Sequence, residues 1–148
     1  MNYKHTQIGH LIIFTLFATS VLFWVILYKN NFNPLILIFM FFILFILVSF
    51  SSLNVMVDEN HLQIKFGYGI YKKRFILKEI ISARVVKNHW YYGWGIRTWF
   101  WPYMSIYNVS GFDAVEIRMK NNKIYRIGTD EPKKLEQTIL QVIKHIPK

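Results

Sequence analysis

Five histidines and eight carboxylates carry whatever acid–base or metal chemistry this 148-residue chain could perform, and their spacing brings none of them together. His5, His10, His61, His89 and His145 form neither an H-x-x-x-H nor an H-E-x-x-H pattern, the spacings that put two imidazoles on one helical face. Asp58-Glu59 reads as a turn and Asp130-Glu131 as a helix cap, while Glu79, Asp113, Glu116 and Glu136 are scattered. Gly67-x-Gly69 and Gly93-x-Gly95 lack the Lys and Ser/Thr of phosphate-cradling loops. There is no cysteine, hence no disulfide and no thiolate metal site. The sequence therefore predicts no enzyme, no cofactor and no metal.

Binding chemistry is better represented. Eight of the fourteen residues from Trp90 to Tyr103 are aromatic, and four of the five tryptophans lie there. Arg97 is the one formal charge among them. A guanidinium offers a planar fork that suits phosphate oxygens. Gly93, Gly95 and Pro102 interrupt regular structure, so His89 to Tyr107 is expected to be a long loop. Such loops are functional or disordered, and this one is too aromatic for disorder. Three readings compete. The rings anchor at a bilayer interface, where Trp and Tyr are favoured. They complete the chain's own core. Or they form a protein–protein hot spot. The candidate ligand-binding residues are Trp94, Arg97, Trp99, Phe100 and Trp101, framed by the motif Tyr91, Tyr92, Gly93 and Gly95.

A second candidate cluster is Lys72, Lys73 and Arg74, with Lys65 and Lys78 nearby. An anionic leaflet attracts such residues by roughly 1 kcal/mol each close to the surface. The plainer account is that exposed lysines blunt a strand edge. The chain's net charge is +10. Lys4 and Lys29 are the only charges in residues 1–52, which leaves 16 Lys or Arg against 8 Asp or Glu beyond them. Nucleic acid is the other partner for a basic, aromatic surface. Membrane tethering disfavours it.

Tethering follows from the elements that must position these residues. Leu11 to Tyr28 and Phe32 to Phe50 are two apolar runs without a charge, separated by Lys29-Asn30-Asn31. At about 1.5 Å per residue each can cross, or nearly cross, a hydrocarbon core of roughly 30 Å. Neither has the polar stripe of a core helix. A cleaved signal fits poorly, because no A-x-A-like site precedes a polar start and a second run follows at once. Residues 1–52 are thus predicted to be a transmembrane hairpin, with helices at about 11–28 and 32–50. Its basic C-terminal domain is expected in the cytoplasm with both termini; the lack of cysteine leans the same way.

Residues 53–148 read as one domain. Leu53, Val55 and Val57 alternate with polar neighbours, Asp58-Glu59-Asn60 turns, and Leu62, Ile64 and Phe66 resume the period of two. Tyr71 to Leu77 and Ile80 to Lys87 read as strands. Ala114 to Lys120 and Lys123 to Ile127 form a hairpin about Asn121-Asn122. Leu135, Ile139, Val142, Ile143 and Ile146 then fall on one helical face, with Thr129 and Asp130 as caps, Pro132 in the first turn and Pro147 as the stop.

This arrangement resembles bacterial membrane proteins that carry two transmembrane helices and a PH-like domain. The residues carrying the likeness are Tyr91-Tyr92-Gly93-Trp94-Gly95-Ile96-Arg97, then Tyr107-Asn108-Val109-Ser110-Gly111 before Ala114-Val115-Glu116-Ile117, and Ile127 to Leu135 at a strand-to-helix junction. The resemblance covers nearly the whole chain. It implies about seven antiparallel strands in two near-orthogonal sheets or a partly open barrel, capped by the C-terminal amphipathic helix. Trp99 to Met104 departs from it, being bulkier than expected. PH-like folds serve lipid binders, protein binders and scaffolds alike. The expected function is a non-enzymatic module in the bacterial cytoplasmic membrane that contacts anionic lipid headgroups or a membrane or envelope protein. The alternative is an accessory structural subunit of a larger membrane complex, with the soluble domain as a protein dock.

Overall fold

The structure, a computed structural model, describes residues 3–145. It begins with a strand, β1 (Tyr3–Ile8), followed by two apolar helices, α1 (His10–Lys29) and α2 (Pro34–Ser49). Eight strands follow among the described residues: β2 (Ser52–Val57), β3 (His61–Phe66), β4 (Tyr71–Ile76), β5 (Ile80–Lys87), β6 (Gly95–Phe100), β7 (Tyr103–Asn108), β8 (Asp113–Met119) and β9 (Ile124–Gly128). Helix α3 (Pro132–His145) closes the described chain.

The segment before the first helix, which the sequence reading places within the transmembrane hairpin of residues 1–52, is a strand. It pairs antiparallel with β2, from Tyr3 opposite Val57 to Ile8 opposite Ser52. The helical pair is therefore inserted between two neighbouring strands. Gly9 N donates to Ser51 O at 2.7 Å and closes the base of the insertion. A Cβ on Gly9 would lie 3.0 Å from Val109 O and 3.1 Å from Ser51 O, so strand, helix and loop meet closely where a side chain would have to push its neighbours aside.

By length and composition α1 can cross a membrane. It is about 30 Å long, and Leu27 is its one buried residue. Helix α2 has 16 residues, about 24 Å. It is shorter than its apolar run because Asn33 caps it, accepting from Leu35 N at 2.9 Å, and Phe50 is already the C-cap. The helices touch through Phe23 and Phe39, and their outward faces carry Phe14, Phe17, Trp24, Ile38 and Phe42 in the open.

The strands form two sheets, ordered β1-β2-β3-β4 and β5-β8-β9-β7-β6. The described residues form nine where about seven were expected, and β7 pairs parallel with β9. That departure from an all-antiparallel domain follows from the β8–β9 hairpin, which folds back so that β9 enters between β8 and β7. The core lies between the inner faces. Leu53, Val55, Leu62, Ile64 and Phe66 of the first sheet join Tyr107, Val115, Ile117 and Ile127 of the second. Each fully buried aliphatic side chain contributes about 1.5–3 kcal/mol.

Helix α3 adds Leu135 and Ile139 to that core, with Val142 and Ile143 at its margin, as its apolar face predicts. Thr129 Oγ1 accepts from Glu131 N at 3.1 Å at its start. Ile146 and Pro147 lie outside the described residues.

Candidate functional site

The aromatic stretch is not a loop. Trp90–Tyr92 makes one 3-10 turn, and β6 and β7 form a hairpin in full register from Gly95 opposite Asn108 to Phe100 opposite Tyr103. Gly93 and Gly95, with φ of 68° and 97°, swing the chain into β6 rather than preventing it. The bulky β-forming residues after them then pair. At roughly 3.3 Å per residue the hairpin is about 17 Å long, so its two ends sit in different surroundings.

One end, the foot, abuts the helices. A cleft of about 300 Å³ opens between Ile12 of α1, Ile46, Leu47 and Phe50 at the end of α2, and the segment from Trp94 to Arg97. The Trp94 indole lies 6.3 Å from the ring of Phe112. Its Nε1 is buried and has no hydrogen-bond partner among the described residues. Arg97 is exposed and belongs to none of the ion pairs among those residues. Its guanidinium folds back over Gly93, where a Cβ would be 3.8 Å from it.

The other end, the tip, carries Phe100, Trp101 and Tyr103, exposed to 82%, 90% and 63%. Between the two ends the rings pack. Tyr92 is buried with Met104 and Ile106 on the outer face of the five-stranded sheet, and Trp99 leans on it at 4.9 Å. Tyr91 stacks on His89 at 4.9 Å. Arg126 lies 5.7 Å from the Tyr92 ring, and it also meets a buried carboxylate. Glu116 accepts from Arg126 Nε at 2.8 Å and from Arg84 Nη2 at 2.6 Å. Burial alone would raise the Glu116 pKa. The two guanidiniums, Arg126 foremost, outweigh it and hold the carboxyl below its ordinary range.

The basic cluster is also divided. Strand alternation sends Lys72 and Arg74 outward and Lys73 inward. Lys73 Nζ donates to Tyr107 Oη at 2.9 Å and sits 4.3 Å from the centre of the Tyr125 ring, with Phe75 at 5.5 Å. Tyr71 Oη donates to Tyr107 Oη at 3.3 Å, and burial first, then that bond, pushes the Tyr71 pKa up to about 12. Lys73 is thus a packed cation, and the three basic residues do not form one patch. Arg74 Nε donates to Gln63 Oε1 at 3.1 Å.

Lys72 instead pairs in register with Lys65. Their Cε atoms close on Gly69, where a Cβ would lie 2.6 and 2.7 Å away. The turn they flank exposes Tyr68 and Ile70. It is pressed against the end of α2, since Gly67 N donates to Ser52 O at 2.9 Å and a Cβ on Gly67 would strike Ser49 O at 2.4 Å. The sequence reading weighed Gly67 and Gly69 only as a phosphate-cradling loop and assigned Tyr68 no role. The available signal was two apolar residues between lysines at the start of a strand.

Among the described residues no three His, Asp or Glu side chains gather as a metal site. His5 pairs with Asp130 and lies 3.4 Å from Glu131, which ties β1 to the start of α3. No family model matches the chain, and neither a curated protein nor a solved structure matches it.

Proposed function

We propose that this chain is a non-enzymatic, membrane-anchored module of PH-like architecture in a bacterial cytoplasmic membrane. Both α1 and α2 cross the bilayer in this reading, and the β domain rests on the cytoplasmic face against anionic lipid headgroups. One observation carries it. The turn pressed on the end of α2 exposes Tyr68 and Ile70 between Lys65 and Lys72. Apolar and aromatic groups ringed by cations suit a headgroup layer. Because the helices leave from adjacent strands β1 and β2, the turn is held at a fixed height beside them.

The test uses the full chain in nanodiscs of zwitterionic lipid, with and without anionic lipid. Amides 67–70 should exchange more slowly when anionic lipid is present, and added salt should reverse the protection. Exchange indifferent to lipid charge would overturn the reading.

A second reading has its own observation. The tip residues Phe100, Trp101 and Tyr103 are exposed at the end of the hairpin remote from the helices. An accessory subunit of a larger membrane complex would use such rings as a dock. Retention of a stoichiometric protein in gentle purification, lost on Trp101→Ala, would favour this reading over the first.

A further inference from the structure

We propose that the cleft at the foot of the helices is a binding site for one anionic phospholipid. Trp94 and Arg97 take its phosphate, and α1 and α2 take the start of its acyl chains. The inference rests on the bilayer-contact reading above and assigns it a defined site.

The two walls of the cleft differ in chemistry. Ile12, Ile46, Leu47 and Phe50 make the helix side apolar. On the strand side Trp94 and Arg97 bring side-chain donors. The Trp94 indole N–H is buried without a partner among the described residues, and Arg97 is outside the ion pairs found among them. Buried donors are nearly always satisfied in native proteins; Trp94, with its orphaned N–H, and Arg97, with its open guanidinium, both line this cleft, and together they ask for an acceptor-only group. A phosphate diester supplies one, and the guanidinium can hold two of its oxygens at once. Among the described residues no carboxylate side chain lines the cleft. The ammonium of a zwitterionic headgroup would find no counter-charge there, which favours a lipid of net negative charge.

Size and position agree. About 300 Å³ is at the lower end of small-molecule pockets, enough for a headgroup and the first carbons of its chains. The rest of an acyl chain would run along the exposed apolar faces of α1 and α2. Phe112 against Trp94 steadies the indole from the outer side.

The experiment is native mass spectrometry of the detergent-solubilised full chain, titrated with phosphatidylglycerol, phosphatidylcholine or inorganic phosphate. One phosphatidylglycerol should bind in preference to phosphatidylcholine. Arg97→Gln should weaken it about tenfold, the loss expected for a charged hydrogen bond. Trp94→Phe, which keeps the ring and removes the N–H, should weaken it several-fold. Ile46→Trp should block the cleft while leaving both donors in place, which keeps the test decisive if a donor variant is unstable. Inorganic phosphate binding with equal avidity, without lipid binding, would mean a free anion site and overturn the proposal. So would equal lipid retention by the parent, Arg97→Gln and Ile46→Trp. Lys65→Gln with Lys72→Gln separates the two levels. It should abolish the anionic-lipid protection of amides 67–70 and spare the cleft. If that protection exists while cleft variants retain lipid, the cleft assignment fails alone; if lipid charge affects neither, the bilayer reading fails with it.

Discussion

The foot and the tip of the β6–β7 hairpin come from one aromatic stretch, yet they present opposite chemistry. At the foot a tryptophan and an arginine face apolar helix ends across a cleft, with an indole N–H left unpartnered. At the tip two aromatic rings and a tyrosine stand in solvent with no carboxylate or cation in their own turn. Both ends are aromatic, only the foot carries a cation, and pairing sends the two to different neighbours. Register fixes which end of a strand meets which neighbour, so adjacent aromatics can be sent to environments about 17 Å apart. A cluster in sequence is not a cluster in space.

The comparison presumes that the tip points away from the bilayer on the cytoplasmic side, and this is the place to break it first. Asn122, at the turn between β8 and β9, has a φ of 62° and is exposed. It lies at the same end of the sheet as the tip, because Ile124 pairs with Met104. A cysteine placed there should stay unlabelled by an impermeant thiol reagent in intact cells and label fully after lysis. Labelling in intact cells would reverse the orientation.

The next largest effect concerns the frame that holds the foot and tip apart. Glu116 is shielded on the outer sheet face, with 6% of its side chain exposed against 14% for Arg126 and 65% for Arg84. Glu116→Ala leaves Arg126 shielded without its carboxylate and should cost about 3–5 kcal/mol in chemical denaturation. The pH dependence has a definite sign. A folded-state pKa below the ordinary 4.5 stabilises the fold above that value, and the contribution is lost as pH falls through the lower folded value. Glu116→Gln should remove this acid-side slope. A slope identical to the parent's would assign it to other carboxylates.

A smaller effect compares two neighbours in the hairpin directly. Trp99 packs on Tyr91 and Tyr92, whereas Trp101 makes none of the aromatic contacts found among the described residues and is 90% exposed. Trp99→Ala should cost about 2–3 kcal/mol, less than a fully buried tryptophan. Trp101→Ala should stay within about 0.5 kcal/mol. Equal losses would mean that the tip is packed and the contrast false.

Much of this frame is written in periodicity. Leu53, Val55 and Val57 against Leu62, Ile64 and Phe66 mark β2 and β3, and Leu135 with Ile139 marks the buried face of α3, because one-sided burial forces a period of two or near 3.6. Strand β1 was illegible for the same reason. Its inner face holds Tyr3 and Gln7 while Lys4 and Thr6 face out, so there is little apolar alternation to read. In β6 and β7 large residues lie on both faces, which hides a strand, and the glycines ahead of it look like breaks. The parallel β7–β9 pairing rests on contacts far apart in sequence. At the candidate site, Trp94 and Arg97 were legible as residue types. The helix ends that make a cleft of them were not. Nor was the use of Tyr68 and Ile70, whose neighbours gain meaning from the position of Ser49.

The smallest effect separates two adjacent lysines. Lys72 faces out beside the turn at residues 67–70, and Lys73 points inward at Tyr107 and Tyr125. Lys72→Met should leave the alkaline titration of the protein unchanged. Lys73→Met removes a positive charge that favours the phenolate of Tyr71, whose pKa already stands at about 12 rather than 10.0 because of burial and its bond to Tyr107. Tyr3 also ionises late, so ultraviolet titration is run in a Tyr3→Phe background, where Lys73→Met alone should move the Tyr71 ionisation further up. The sign for stability follows. A folded pKa above the unfolded value stabilises the protein below pH 10.0 and is lost as pH climbs through about 12, so Lys73→Met should shift the alkaline end of that loss upward while weakening the neutral protein by about 1 kcal/mol through the lost ring contacts. A matching shift in Lys72→Met would place both lysines against the tyrosines and dissolve the division between the packed cation and the outward one.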